Sequence, residues 1–439
     1  MSDLSKSLGG VTGTALMLNT VLGAGVLILP GLAAAQVGAQ SLWTWVACAI
    51  VTAPLLAVFA ILSSRYPEAG GVGHIAKIAF GAVGQVAASA LLLGAVFLGL
   101  PSIALTAGYY LEPIVGAPPA AIAILVVACA GSLNLALPDV ASKIGAWVAA
   151  AVIAFLVILI AAASVTILNA QAVLDAPTIS AAEGATSTMP LTTSWPNASL
   201  FVPFMLVFFA FTGWEVAIGT SEEFRDPRRD IPRAVAASFA ITVLFYVVCA
   251  VVVLSAGETA YGNAPFLAIL APNATGPAST LIAGGTGILL TANLFAAIWA
   301  VSRMLLSLAR ERLLPLPLAR VSMGTPRIAV VATVAIIAGV AALDGLSLIN
   351  VEILFALAGQ NFLLLYAVSA AALVALATRP LDWTIGLCAL VVAIVAIALT
   401  GLHFIYPIAL VLLGLGTLWA RNRRTGVWSG DSAATPTAG

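Results

Sequence analysis

Charge is what this sequence has least of: Asp, Glu, Lys and Arg make up 8% of its 439 residues, and 17 basic and 17 acidic side chains cancel to a formal net charge of zero. Soluble domains carry roughly a quarter charged residues, so an ordinary water-facing surface around a core is excluded. The cancelled charge leaves no basic footprint for nucleic acid. Histidine occurs only twice, as His74 and His403, which argues against a histidine-based metal or catalytic cluster. The four cysteines, Cys48, Cys129, Cys249 and Cys388, stand singly in apolar stretches without paired spacing. They read as small buried hydrophobes rather than disulfides or metal ligands, and no cofactor or metal is expected.

What is present is hydrophobic sequence, 62% of the chain. It is organised in runs of about 20 apolar residues, each long enough to cross a ~30 Å hydrocarbon core as a helix. Twelve such runs lie at about 11–36, 41–62, 84–110, 119–137, 142–166, 198–222, 233–256, 276–303, 328–343, 349–377, 381–400 and 402–420. The first follows a polar start carrying Lys6, but no small-residue cleavage site leads from it into a soluble domain, so it reads as a span rather than a signal peptide. The expectation is an all-α integral membrane protein with one membrane domain over 1–424 and a polar, disordered cytoplasmic tail over 425–439.

Lys and Arg favour cytoplasmic loops. With the N-terminus inside, all 17 of them fall on the inner side, and the outer loops, including the long one from about 167 to 197, hold none. Both termini are therefore placed in the cytoplasm, in a cell inner (plasma) membrane. Asn197-Ala-Ser and Asn273-Ala-Thr match glycosylation acceptors on the outer side and read as chance matches.

Two spans interrupt their own helical pattern at mid-depth. Span one carries Gly23-Ala24-Gly25 within "NTVLGAGVLILP", and span six carries Thr212-Gly213 followed by Trp214 and Glu215 within "FFAFTGWEVAIGTSEEF". Gly and Ala also pack membrane helices closely together, and Gly-x-Gly alone would read that way. Paired breaks five spans apart instead point to an inverted-repeat transporter with its site at the membrane midplane. An odd number of helices per repeat turns the second copy over, giving repeats of about 11–166 and 198–377, with helices over about 381–420 outside them.

Unwinding a helix in lipid frees N–H and C=O groups that need partners. The start of an outgoing half-helix attracts a carboxylate and the end of an incoming one an ammonium, so the breaks predict an α-amino acid ligand. Phe208, Phe209, Phe211 and Trp214 flank the second break as candidate pocket walls or lids. Glu215 is placed well inside a span, where a carboxylate is costly and functional by default. Two roles stay open for it: carrier of a coupling proton, or a carboxyl permanently bonded to the unwound backbone. Beyond span six, Asp230 reads as the N-cap of span seven with Pro232 in its first turn.

The glycine break, "RYPEAGGVGHIAKIAFG" after span two, "FTGWEVAIGTSEEFRDPRRDIPRA" across span six and "SRMLLSLARERLLP" after span eight together resemble the amino acid–polyamine–organocation family of secondary transporters. "SLWTW", "YPEAGGVGHIAKIAFG" and "GLPSIAL" are most similar to its bacterial exporters of methionine and branched-chain amino acids. The resemblance implies a twelve-helix, five-plus-five inverted-repeat (LeuT-like) fold with broken helices one and six. It implies that the amides around Ala24 and Gly25, beside Gly23, hold the substrate carboxylate, and that the carbonyls of Val21, Phe209 and Thr212, beside Gly213, hold its amino group. Phe209, with Phe211 and Trp214, takes the gating role, and Glu215 matches the family's acidic residue after the second break. This chain departs from many relatives in having Ala24 where they have a hydroxyl, and in having no lysine inside span five.

The function implied is secondary transport of neutral hydrophobic amino acids (methionine, leucine, isoleucine, valine) by alternating access, as efflux against inward proton flow. The apolar surroundings of both breaks, with no second carboxylate beside Glu215, argue against cationic substrates. An importer or amino acid exchanger is the alternative within the class, and a membrane-embedded enzyme or channel the remote one. The partners expected are the amino acid, protons and the lipid bilayer.

Overall fold

The computed structural model describes residues 8–67, 71–136, 140–174, 197–215, 221–272, 276–322, 324–400 and 405–425. Regular structure among them is helical, with two isolated bridges, Leu8 to Phe224 and Ser322 to Thr325. Nine stretches among the described residues are long and apolar enough to cross a membrane, Ala24–Arg65 counting as one.

The helices are α1 (Gly10–Val21), α2 (Ala24–Val37), α3 (Ser41–Arg65), α4 (Gly71–Val115), α5 (Pro119–Ala136), α6 (Val140–Leu174) and α7 (Phe204–Ala210). They continue as α8 (Pro227–Ala256), α9 (Pro265–Leu270), α10 (Pro277–Arg310), α11 (Arg327–Gly345), α12 (Val351–Leu376), α13 (Pro380–Leu399) and α14 (Ile405–Thr425). Local chemistry marks their starts. Proline, whose fixed φ suits a first turn and whose missing N–H is not needed there, opens α8, α9, α10 and α13. The Asn350 side chain caps α12 by accepting the Ile353 N–H at 2.9 Å.

Several boundaries differ from the sequence expectation. Asp230 is not the N-cap of the seventh span: α8 starts a turn earlier at Pro227, and the Asp230 N–H donates to the Asp226 carbonyl at 2.8 Å. The sequence offers two prolines for the first turn, and the helix takes the earlier one. The third run also begins early, because "GVGHIAKIAF" is itself helical and meets the span at Gly81, whose φ of 66° breaks the helix direction. Cys48 and Cys249 are buried as expected, whereas Cys129 and Cys388 are exposed, on α5 and α13. His403, Asn273 and the tail from 426 lie outside the described residues.

The broken helices run through the middle of the bundle. α2 contacts α3, α4, α7 and α8, α1 packs on α8, and α12 packs on α4, α7 and α13. A side chain at Gly359 would run into the Met205 carbonyl, so α12 and α7 meet backbone to backbone. The largest fully buried side chains, Trp45, Trp214, Tyr110, Tyr246 and Tyr366, gather in this central region. Arg65 at the end of α3 pairs with Asp382 in the first turn of α13. Large apolar side chains such as Ile158, Leu244, Ile288 and Leu412 project outward, the arrangement a lipid-facing surface requires.

Candidate functional site

The first break is two residues long. α1 ends at Val21, Leu22 is extended with φ −80° and ψ 92°, and α2 restarts at Ala24 after Gly23. The Val26 N–H reaches the Gly23 carbonyl at 3.3 Å. The first N–H groups of a helix have no partner within it, so Ala24 and Gly25 bring open donors to the break.

At the second break α7 ends at Ala210, the Phe211 N–H closes on the Phe208 carbonyl at 2.9 Å, and Gly213 turns the chain with φ 121°. The Phe209 carbonyl accepts both the Thr212 N–H at 3.1 Å and the Thr212 hydroxyl at 2.7 Å, which uses both of its lone pairs.

The two breaks touch. A Cβ on Gly213 would lie 2.9 Å from the Thr20 carbonyl, and one on Gly25 would lie 3.3 Å from Ala210 Cβ. A residue on α8 ties them together: the Tyr246 hydroxyl lies 2.8 Å from the Ala210 carbonyl and 3.1 Å from the Val21 carbonyl, the last carbonyls of α7 and α1. One hydroxyl proton is thus shared between both half-helix ends. Tyr246→Phe keeps the ring packing against Trp45 and Phe211 and removes this bond. It is expected to destabilise the protein by about 1–3 kcal/mol, the cost of a buried polar group losing its partner. A melting temperature in detergent equal to the native value would refute that.

Where the breaks meet there is a cavity of about 250 Å³. Val21, Gly23, Ala24, Gly25, Phe209, Thr212, Gly213 and Glu215, all predicted from the sequence, line it. Its other walls are mostly apolar: Ala95, Val96, Gly99, Leu100 and Ile103 from α4, Ala296, Ala297, Ala300 and Val301 from α10, and Phe362 from α12. The Phe209 ring lies over Gly99, where a Cβ would come within 2.8 Å of it, and packs against Phe355 with centroids 4.9 Å apart. Phe211 and Trp214 do not line the cavity. Phe211 is buried against Trp45 and Tyr246, and the Trp214 indole N–H donates to Ser238 Oγ at 3.0 Å.

Glu215 Oε2 accepts the Gly213 N–H at 3.0 Å and the Tyr366 hydroxyl at 2.7 Å. The carboxyl therefore braces the second break from its own chain and from α12. Both bonds go to the same oxygen, so Oε1 takes part in neither. Among the described residues no group of three or more His, Cys, Asp or Glu side chains is placed to hold a metal ion. Sequence reasoning missed Tyr246, Tyr366, Gly99 and Asn293. The signal for the tyrosines was a polar tip in the middle of an apolar span, which needs a buried partner.

A family profile described as amino acid permease matches residues 8–429. The uncharacterized amino acid permease YecA of Bacillus subtilis (strain 168) is 28% identical over 421 residues, covering 94% of this chain and 96% of that protein. The L-methionine/branched-chain amino acid exporter YjeH of Escherichia coli (strain K12) is 30% identical over 260 residues, covering 58% of this chain and 57% of that protein. The vacuolar cationic amino acid transporter 2 of Arabidopsis thaliana is 28% identical over 339 residues, 69% of this chain and 49% of that protein. With that profile running from before the first break to beyond the last helix of a multi-pass helical bundle, the chain belongs to the amino acid permease family of transporters and is not an enzyme.

Proposed function

We propose that this permease exports neutral hydrophobic amino acids (methionine, leucine, isoleucine, valine) by alternating access, with the substrate held between the two breaks. The supporting observation is the composition of the cavity there. Backbone from both breaks enters it, its side-chain walls are largely Ala, Val, Leu, Ile and Phe, and Glu215 is the one charged side chain in its lining. A zwitterion finds donors at the start of α2 and acceptors in the Val21 carbonyl, which Tyr246 engages once, and the Thr212 carbonyl; the Phe209 carbonyl, both of whose lone pairs Thr212 takes, has none left for it. An aliphatic side chain finds the α4 and α12 walls, and a second positive charge would find only Glu215, one of whose oxygens is already engaged twice. The E. coli relative, named for methionine and branched-chain amino acid export, fits this reading.

In the same reading the chain is one transport domain over 1–424 with twelve spans in a five-plus-five inverted repeat, α1 with α2 opening the first copy and α7 the second. It sits in the plasma membrane with both termini inside, because that placement puts every Lys and Arg on the cytoplasmic side. Inward proton flow drives efflux, with Glu215 either as its carrier or as the brace of the second break, and Phe209 gates the pocket from its seat on Gly99.

Proteoliposomes loaded with labelled methionine or leucine test this. The expected result is saturable efflux, faster when the outside is acidic, and competed by the other hydrophobic amino acids. Competition by arginine in preference to leucine would move the substrate class to that in the Arabidopsis relative's name. Saturable flux unaffected by a pH gradient would support the importer or exchanger alternative, and no saturable flux for any amino acid overturns the proposal.

A further inference from the structure

Four polar side chains line the cavity: Thr20, Thr212, Glu215 and Asn293. Three already have partners within the protein. The Thr20 hydroxyl donates to the Met17 carbonyl at 2.8 Å, the Thr212 hydroxyl to the Phe209 carbonyl at 2.7 Å, and Glu215 holds Gly213 and Tyr366. Asn293 makes no hydrogen bond among the described residues. Its side chain is half-buried and lines the cavity, so the partner that an amide needs at membrane depth comes from what fills the cavity.

Its position says which part of the ligand. A Cβ built on Gly23 would lie 3.7 Å from Asn293 Nδ2, so the amide nitrogen stands over the break where α2 begins. That helix end offers open N–H groups, while Ala24 adds only a methyl group. The α10 face below Asn293 is alanine at Ala296, Ala297 and Ala300, with nothing else polar to offer from that wall. Glu215 lies at the other break, so the cavity is polarised, with donors at the α2 end and a carboxyl at the far one.

We infer that the Asn293 side chain completes recognition of the substrate's α-carboxylate, donating from α10 to an anion seated at the start of α2. This rests on the amino acid reading above and deepens it. Asn293 is then a specificity residue for the carboxylate, and the absence of a hydroxyl at Ala24 is made good from a different helix.

The test is binding to the purified full-length protein, for native, Asn293→Ala and the near-isosteric Asn293→Leu. Two probes are compared: L-methionine, and L-methioninol, which keeps the amine and side chain but has no carboxylate. Loss of a hydrogen bond to a charged group predicts methionine affinity weakened about 10–100-fold in both variants, with methioninol binding unchanged. Native-like methionine affinity in either folded variant overturns the inference, as does an equal loss for methionine and methioninol, which marks a role in shaping the pocket. Native protein that binds no amino acid fails the transport reading itself, and that control separates the two failures.

Discussion

Gly213→Ala is expected to reduce amino acid flux at least about tenfold and to lower the melting temperature, because two independent costs fall on one atom. The residue holds φ 121°, a conformation L side chains rarely adopt, and forcing one into such a region costs of order 1–3 kcal/mol. The added methyl would also meet the Thr20 carbonyl at 2.9 Å. That neighbour is backbone, so it yields only by shifting α1, and α1 carries the other half of the site. The Gly213 N–H is moreover one of the two donors on Glu215, so any turn of this peptide loosens the carboxyl as well. Gly284→Ala is the control: it lies in α10 with nothing within 4 Å of the new methyl, and is expected to be neutral or slightly stabilising, since alanine suits a helix better by about 0.5–1 kcal/mol. Gly213→Ala with native flux would show that the contact between the breaks does not matter to transport.

The breaks were legible in the sequence because the requirement that makes them is local. A glycine pair within an apolar run, and Thr-Gly before an acid within another, state on their own that the helix cannot continue smoothly there. The nine membrane-length stretches among the described residues were legible for the same reason, since each needs only its own twenty or so apolar residues, whereas the count of twelve spans is not fixed by them. What was not legible depends on pairing between distant positions. Tyr246 reaches Val21 across 225 residues, Tyr366 reaches Glu215 across 151, and no local pattern names those partners. Asn293 is one polar residue in an apolar helix, and nothing local says that the fold sets it over Gly23. The direction of Phe211 and Trp214 was hidden for a different reason. Helical periodicity fixes where a side chain points, and it lapses past the end of α7, so two of the four neighbouring aromatics, Phe211 and Trp214, could not be sorted between wall and core. Phe209, still on α7, faces the cavity, while Phe211 and Trp214 turn into the packing behind it. The early start of α8 shows the limit of capping rules, because Pro227 and Pro232 are both acceptable first-turn residues and only the bond from Asp230 back to Asp226 distinguishes them.

Glu215 is where a pair of substitutions separates the two roles left open for the carboxyl. Glu215→Ala removes the acceptor of both the Gly213 N–H and the Tyr366 hydroxyl, two donors in a site that is 6% exposed. Each orphaned donor costs about 1–3 kcal/mol, so the variant is expected to lose stability and all measurable flux, whichever role is correct. Glu215→Gln behaves differently because both bonds converge on Oε2. A carboxamide oxygen in that place accepts the same two bonds, while the amide nitrogen takes the place of Oε1, which makes neither of them. The second break therefore stays braced, and methionine binding and the melting temperature are expected to remain close to native. What glutamine cannot do is gain and release a proton. If Glu215 carries the coupling proton, Glu215→Gln exchanges labelled for unlabelled methionine at a near-native rate but no longer responds to a pH gradient, with gradient-driven efflux falling by about tenfold or more. Full gradient-driven efflux in Glu215→Gln would leave the residue as a brace alone and move the proton to another group. Loss of exchange and of gradient response together, with methionine binding intact, would mean that the negative charge itself is needed for the conformational step.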